Sequence, residues 1–289
     1  MSQQPLVSAV ISTYNGAKYI KKAIDSVLGQ TYKNIELIIT DDCSTDDTPK
    51  IIFEYLKKDS RIRSFKNKSN IGSYKSLNKA IRATKGKYIA NLDDDDIWID
   101  SQKIKKQVEF MEKNNDYGLV GGGMIKIDIK NNEIARFVFP EHDREIRKSI
   151  LSANNLIAHS SALFRKDIWE KAAGYNALFD YSADLDLWLK MGKISKFYNF
   201  QEYFIYYLEK EGSEIFFSRK NSSRRKIWLN IKMRKQYKND YPSYKKAILL
   251  CWASFFYSFL PYKQKQKLRL TLVKSRAFMF RLPFCRSKK

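Results

Sequence analysis

The residue pattern predicts an α/β fold, a mostly parallel, doubly wound sheet flanked by helices, followed by a basic helical C-terminal region. Two observations predict the sheet. Short β-branched apolar runs alternate with segments of 3.6-residue periodicity, and acidic residues collect directly after two of those runs, where open α/β sheets bind ligands. A third observation sets off the tail. The chain carries a net charge of +23, yet residues 1–218 hold 33 Lys and Arg against 30 Asp and Glu, while residues 219–289 hold 21 against the lone acid Asp240. The basicity belongs to the last quarter of the chain.

Each element follows from its pattern. Val7 to Ser12 is an apolar run that reads as a strand; Tyr14-Asn15-Gly16 is turn-prone, and Ile20, Ala23, Ile24, Val27 and Leu28 recur at helical spacing. Ile35 to Thr40 is the second strand, Asp41 to Thr45 a polar turn, and Asp46 to Lys57 a helix with Pro49 in its first turn. Ile62 to Phe65 is a strand, Asn70 to Ser73 a loop and Tyr74 to Ala83 a helix that Gly86 is expected to end, before a strand at Tyr88 to Leu92. The middle is less regular. It offers a Gly-rich stretch at Gly118 to Gly123, strand-like Met124 to Ile129, Ser161 to Phe164, and a polar turn leading into Asp184 to Leu189. Ala247 to Tyr262 is an apolar, aromatic run, shorter than the ~20 residues a spanning helix needs. The expected organisation is one α/β domain over 1–218, made of halves at 1–115 and 116–218, and a basic amphipathic region at 219–289.

Composition excludes several classes. With 289 residues and 44% apolar residues, the chain is long enough and apolar enough for a buried core, and its 11 Gly and 6 Pro exclude collagen-like and low-complexity chains. Cys43, Cys251 and Cys285 show no CxxC spacing, which fits a reducing compartment. The N-terminus lacks the basic and long apolar segments of a signal peptide. With only His142 and His159 and no thiolate cluster, any metal should be held by oxygen, hence Mg²⁺ or Mn²⁺.

The acids suggest where. The second strand runs into Asp41-Asp42 and the fourth into Asp93-Asp94-Asp95-Asp96. Carboxylates this close repel one another unless a cation or donor compensates. An EF-hand is excluded, because its loop glycine and terminal glutamate are missing. Two carboxylates at i, i+2 can instead hold a divalent ion against a diphosphate leaving group.

Four segments together resemble family 2 glycosyltransferases of the GT-A fold, a Rossmann-like architecture: Val10-Ile11-Ser12-Thr13-Tyr14-Asn15-Gly16, Ser26 to Tyr32, Asp41-Asp42-Cys43-Ser44-Thr45-Asp46, and Gly86 to Asp96. Their order and spacing match too, and the resemblance covers about residues 6 to 210. It implies that Thr13, Tyr14 and Asn15 line a nucleotide pocket, and that Asp42, with Asp41 beside it, reads the base, commonly N3 of uracil. It further implies that Asp93 and Asp95 hold metal and ribose, with Asp94 between them. A carboxylate can accept from an imide N–H where a lysine could not. Cys43 stands where the family usually has Gly, which puts the donor-base assignment in question. Where the family has Glu-Asp-x-Asp-Leu-Trp, this chain has Ala183-Asp184-Leu185-Asp186-Leu187-Trp188, so Asp184 maps to the general base and Asp186 is the second candidate. His159-Ser160-Ser161 and Arg165 match a stretch that approaches acceptor and diphosphate; Lys75 and Asn78 stay outside the core assignment.

The tail permits an anionic membrane surface or nucleic acid as partner, or simple packing of its apolar run on the catalytic domain. No nucleic-acid motif accompanies the charge. Lys245-Lys246, the aromatics Trp252 to Phe259 and the later Lys263, Lys265, Lys267 and Arg269 favour a helix in a membrane interface. The expected protein is an inverting, metal-dependent glycosyltransferase. Its donor would be a nucleoside-diphosphate sugar, UDP-linked by preference, and its acceptor a glycan or lipid-linked molecule in surface polysaccharide or lipopolysaccharide synthesis at the inner face of the plasma membrane. The alternatives are a nucleotidyltransferase of related fold, disfavoured by the missing Gly-rich basic N-terminal loop, and a noncatalytic basic binding protein.

Overall fold

The computed structural model describes residues 4–153, 155–179, 182–210 and 224–259. The boundary expected at 218/219 and the cations at 263–269 lie outside the described residues.

The strands are β1 (Val7–Thr13), β2 (Ile35–Asp41), β3 (Ile62–Lys66), β4 (Tyr88–Asn91), β5 (Ile97–Trp98), β6 (Tyr117–Ile127), β7 (Glu133–Phe137), β8 (Leu163–Arg165) and β9 (Lys196–Leu208). The helices are α1 (Ile20–Leu28), α2 (Thr48–Lys58), α3 (Ser73–Arg82), α4 (Lys103–Lys113), α5 (Asp143–Ser149), α6 (Lys166–Lys171), α7 (Ala183–Gly192), α8 (Arg224–Gln236) and α9 (Tyr244–Phe259). The sheet order is β3-β2-β1-β4-β8-β6-β9-β5, with β7 paired to β6. β3, β2, β1 and β4 are mutually parallel, as the βαβ alternation requires.

The sheet is mixed beyond β4. β8 pairs antiparallel with both β4 and β6. The chain leaves the carboxyl end of β4 in the acidic turn, returns to that same end at His159 and runs back down beside β4. That return puts His159 and Ser160 next to the acids.

Strands β1, β2 and β4 are buried on both faces, which explains their continuous apolar runs. Alternate residues feed opposite cores: Val10, Ile38 and Ile89 join one, and Ile11, Ile39 and Ala90 the other. The first core also takes Trp188 of α7 and Met233, Tyr237, Tyr241 and Ala247 from the C-terminal region, so α8 and the start of α9 are seated on the catalytic domain. One face of α9 packs on α8 through Cys251 against Ile227 and Ile231. Its Leu249, Phe256 and Phe259 stay exposed. Packing on the domain and an outward apolar face therefore coexist. Among the described residues, no helix is long and apolar enough to cross a membrane.

Two expectations need correction. α2 begins at Thr48 rather than Asp46, because Asp46 Oδ1 accepts from the Thr48 amide (3.0 Å) and hydroxyl (2.5 Å), working ahead of the helix. Gly86 does not end α3, which stops at Arg82. It lets the loop approach β1, since a Cβ there would lie 2.5 Å from Ser8 Oγ, and the Gly86 amide donates to that oxygen.

Candidate active site

The turn after β1 and the turn after β2 are locked together. Asn15 is left-handed (φ 54°), a conformation Asn tolerates. Its amide donates to Ser44 Oγ (2.9 Å) and its side-chain oxygen accepts from the Thr45 amide (2.8 Å). Tyr14 is left with an exposed ring at the rim. Asp41 is buried and closes its own turn, accepting from the Ser44 amide (2.8 Å). Asp42 is also buried, and its carboxylate accepts from the Ile71 amide (2.9 Å), the Gly72 amide (2.8 Å) and Asn67 Nδ2 (2.8 Å). Cys43 has φ 69°, which accounts physically for the Gly that the resembled family places there.

The turn after β4 gathers the other acids. Thr13 donates to Asp94 Oδ2 at 2.5 Å, and this contact needs Gly16, where a Cβ would lie 2.3 Å from Thr13 Oγ1 and 2.4 Å from Asp94 Oδ2. Asp95 pairs with Lys210 at 2.7 Å. Asp96 accepts from Ser160 Oγ (2.5 Å) and the Leu208 amide (3.1 Å), tying the turn to the end of β9. Asp93 Oδ1 accepts from His159 Nδ1 at 2.9 Å.

Electrostatics follow from the crowding. Burial pushes Asp94 up to about 6, opposed by Thr13 and reinforced by Asp95 and Asp93. Burial and Asp93 raise Asp95 despite Lys210, while burial with Asp93 and Asp95 takes Asp96 well above the usual carboxylate range. Burial also opposes charge on Asp93, but His159 overcomes it and holds that carboxyl low. Burial and mutual repulsion thus favour the protonated forms of Asp94, Asp95 and Asp96, which their present donors only partly offset. Among the described residues no cluster of three or more His, Cys, Asp or Glu forms a metal cage. Asp93 and Asp95 nevertheless offer hard carboxylate oxygens of the kind that suits Mg²⁺ or Mn²⁺, which take their remaining oxygens from substrate and water.

α7 brings the last acid to the same place. Asp184 accepts from Asn155 Nδ2 (2.6 Å) and the Leu185 amide (2.7 Å), and it is near enough to His159 and Asp93 to feel their charges. Burial raises its pKa, against the pull of His159. Ala183, in place of the motif's Glu, is fully buried in the core.

Three expected site residues do other work. Both ring nitrogens of His159 are committed within the protein: Nδ1 to Asp93, and Nε2 to the Tyr175 hydroxyl (2.9 Å) and Asn91 Nδ2 (3.1 Å). It orients Asp93, and both of its nitrogens face protein partners. Arg165 pairs with Tyr88, at the amino end of β4, because β8 runs antiparallel to it. Its guanidinium donates to the carbonyls of Tyr117 (2.9 Å) and Met111 (2.6 Å), at the other end of β4 from the acidic turn. Asp186 points from α7 toward the C-terminal region, accepting from Tyr237 Oη (2.7 Å) and pairing with Lys190 (3.0 Å). Helical geometry puts residues two apart on different faces.

The sequence alone passed over Asn91, Tyr175 and Lys210. Asn91 inside an otherwise apolar strand was a readable signal, since a buried amide needs partners. Tyr175 and Lys210 carry no such signal. They reach the site only by tertiary folding.

The description "Glycosyl transferase family 2" matches residues 8–172, more than half of the chain. The chain is a family 2 glycosyltransferase. An uncharacterised glycosyltransferase of Methanocaldococcus jannaschii is 35% identical over 189 residues, 65% of this chain and 64% of its own. The Bacillus subtilis protein called "Putative glycosyltransferase EpsE" is 33% identical over 222 residues, 75% of this chain and 77% of its own. The match thus spans less than two thirds of the archaeal relative. Among solved structures, Staphylococcus aureus TarS 1-349 in complex with UDP-GlcNAc superposes with a TM-score of 0.67 at 19% identity, covering 88% of this chain and 73% of that one. A mannosyltransferase from Pyrobaculum calidifontis, in complex with GDP-Man and Mn²⁺, gives 0.59 at 16% identity, covering 98% and 83%. These likenesses establish the GT-A fold of the enzyme.

Proposed function

We propose that this glycosyltransferase inverts configuration at the transferred sugar, takes a UDP-sugar and acts on a hydroxyl of a glycan or lipid-linked acceptor in surface polysaccharide or lipopolysaccharide synthesis. The observation that carries the reading is the convergence of the β4 acidic turn with Asp184, brought from nearly a hundred residues away into the electrostatic reach of Asp93. The TarS complex with UDP-GlcNAc supports the donor class.

The donor's base lies beside Tyr14, Asn15 and Asp42. A carboxylate has about four acceptor positions, and three at Asp42 are taken by its own chain, which leaves one for a uracil imide N–H. Asp93 and Asp95 would hold Mg²⁺ or Mn²⁺, which when bound supplies charge to the diphosphate leaving group. His159 keeps Asp93 ionised and fixed in direction.

Asp184 accepts the proton of the acceptor hydroxyl as that oxygen attacks the anomeric carbon. The bond from that carbon to the β-phosphate oxygen breaks on the opposite face, and the nucleoside diphosphate departs with the electron pair. A base whose pKa is raised by burial is better matched to proton removal near neutrality. Peripheral membrane docking belongs to the same reading. Exposed Leu249, Phe256 and Phe259 on α9, with Lys245 and Lys246 at its start, supply an apolar anchor and cations.

UDP-, GDP- and dTDP-sugars offered with Mn²⁺ or Mg²⁺ and no acceptor test the class through slow hydrolysis. Nucleoside diphosphate should be released from one donor and not by Asp95→Ala. No release from any donor, together with no metal-dependent nucleotide binding by calorimetry, would reject it.

A further inference from the structure

His159 is held at both ends of its ring, and only one end faces the acidic turn. Nδ1 meets Asp93 Oδ1 at 2.9 Å, and Asp93 is one of the two proposed metal ligands; Nε2, on the far side of the ring, meets Tyr175 Oη at 2.9 Å. A ring bonded at Nδ1 alone could tilt about its side-chain bonds and carry the carboxylate with it. The second contact fixes its plane.

The Tyr175 hydroxyl suits that contact. Burial keeps it protonated, well above the ordinary phenol range, and the charges of Asp184 and Asp93 add to the effect. Asn91 Nδ2 donates to Oη, which occupies one lone pair and leaves one proton and one lone pair for His159. The hydroxyl can donate to a bare Nε2 or accept from a protonated one, so it holds the ring in either state.

The backbone sets where that hydroxyl lies. Gly174 is left-handed (φ 65°), and a Cβ there would lie 2.7 Å from Asn78 Oδ1 and 2.8 Å from the Trp169 ring, so glycine lets this turn close on α3. Asn78, buried on α3, then takes Tyr175 by both main-chain groups: its Oδ1 accepts from the Tyr175 amide (2.9 Å) and its Nδ2 donates to the Tyr175 carbonyl (2.8 Å). Two bonds of opposite sense fix the orientation of the Asn78 amide and the course of the chain beside it. Tyr74 and Trp188 flank the Tyr175 ring, with centroids 5.2 Å and 6.5 Å away.

We propose that Tyr175 is a positioning residue for the metal site: clamped by Asn78, its hydroxyl fixes the His159 ring and, through it, the direction of the Asp93 carboxylate. The proposal rests on the reading of Asp93 as a metal ligand. Partners one step behind a ligand orient it and tune its affinity, and here the chain runs one step further, from Tyr175 through His159 to Asp93. Packing would need only the aromatic ring. The relay needs Oη, so removal of that single oxygen tells the two apart.

The test is a double-mutant cycle on the full chain, read as Mn²⁺ affinity by calorimetry with saturating nucleoside diphosphate, UDP unless the donor screen selects GDP or dTDP. Tyr175→Phe keeps the ring and should weaken Mn²⁺ binding by about three- to tenfold, and His159→Ala by about tenfold or more. The double variant should bind Mn²⁺ no more weakly than His159→Ala alone, because the hydroxyl then has nothing to act through. Tyr175→Phe should melt within a few degrees of the wild type, the loss of one hydrogen bond. Losses that multiply in the double variant would show Tyr175 acting by another route and would overturn the proposal. Wild-type Mn²⁺ affinity in Tyr175→Phe would overturn it as well, and so would failure of that variant to fold, which would make the hydroxyl a purely structural bond. Failure of the metal reading shows differently: the wild-type chain would itself bind no Mn²⁺ with any of the three nucleotides, and the proposal would fall with it.

Discussion

The two acidic turns look alike in sequence and differ in how their charge is met. After β2, Asp41 and Asp42 take backbone amides of Ser44, Ile71 and Gly72, with Asn67 beside them. After β4, Asp93, Asp94 and Asp95 take side chains: His159, Thr13 and Lys210. Amides belong to the chain path and cannot leave without unfolding a loop. A hydroxyl or a lysine ammonium can swing aside. The difference teaches that the first turn is an architectural joint, with one acceptor position to spare on Asp42, whereas the second is a crowd of carboxylates in which Asp94 and Asp95 have exchangeable side-chain partners.

Substitutions should separate the two turns, and the largest effect falls on the second. Asp95→Ala should cost transfer about a hundredfold or more in kcat/KM, since charge supplied to a leaving group is worth several kcal/mol, while leaving the melting temperature near that of the wild type. A comparable loss of stability would instead make the second turn an architectural joint as well.

Asp42→Ala should show the reverse balance. It orphans two backbone amides and the Asn67 side chain, so urea denaturation should find a loss of about 2–4 kcal/mol. A stable Asp42→Ala protein would break the comparison at its first term.

Gly16→Ala tests the link between the β1 turn and the acids. The new methyl cannot fit beside both Thr13 and Asp94, so that hydrogen bond should be lost, and nucleotide affinity should fall by about tenfold in calorimetry. Lys210→Met removes an ammonium that competes for Asp95, and Mn²⁺ titrated with nucleoside diphosphate should bind a few-fold more tightly. Unchanged affinity would mean that Lys210 stays on the carboxylate when metal arrives.

Cys43→Gly has the smallest expected effect. Relief of left-handed strain is worth about 1 kcal/mol, and the greater freedom of glycine in the unfolded chain offsets part of it. Thermal melting should show a shift of at most a few degrees, upward. A marked fall would show that the Cys43 side chain holds the turn by contacts of its own.

Much of this was legible in the linear sequence. The parallel half of the sheet could be read from β-branched runs alternating with helical periodicity, because each strand is buried on both faces and each helix covers one. The strand-end acids were legible for the same reason, since burial of the flanking residues leaves the turns as places for charge. Asp186 and Arg165 misled because a motif records residue type and spacing but not direction. Asp186 lies on another face of the helix from Asp184, and Arg165 lies at the far end of a strand whose antiparallel course the periodicity does not encode.

By itself, then, the sequence determined which segments become strands and helices, where acid follows strand, and the asymmetric placement of positive charge, because these depend on local periodicity and composition. Tertiary structure alone decided that β8 turns back beside β4, that His159 orients Asp93, that Asp184 comes within electrostatic reach of both, and that the first turns of α8 face the start of α3 across a cleft. Each of these joins residues far apart in the chain. Their meeting depends on long-range packing and strand direction, which no local window of sequence contains.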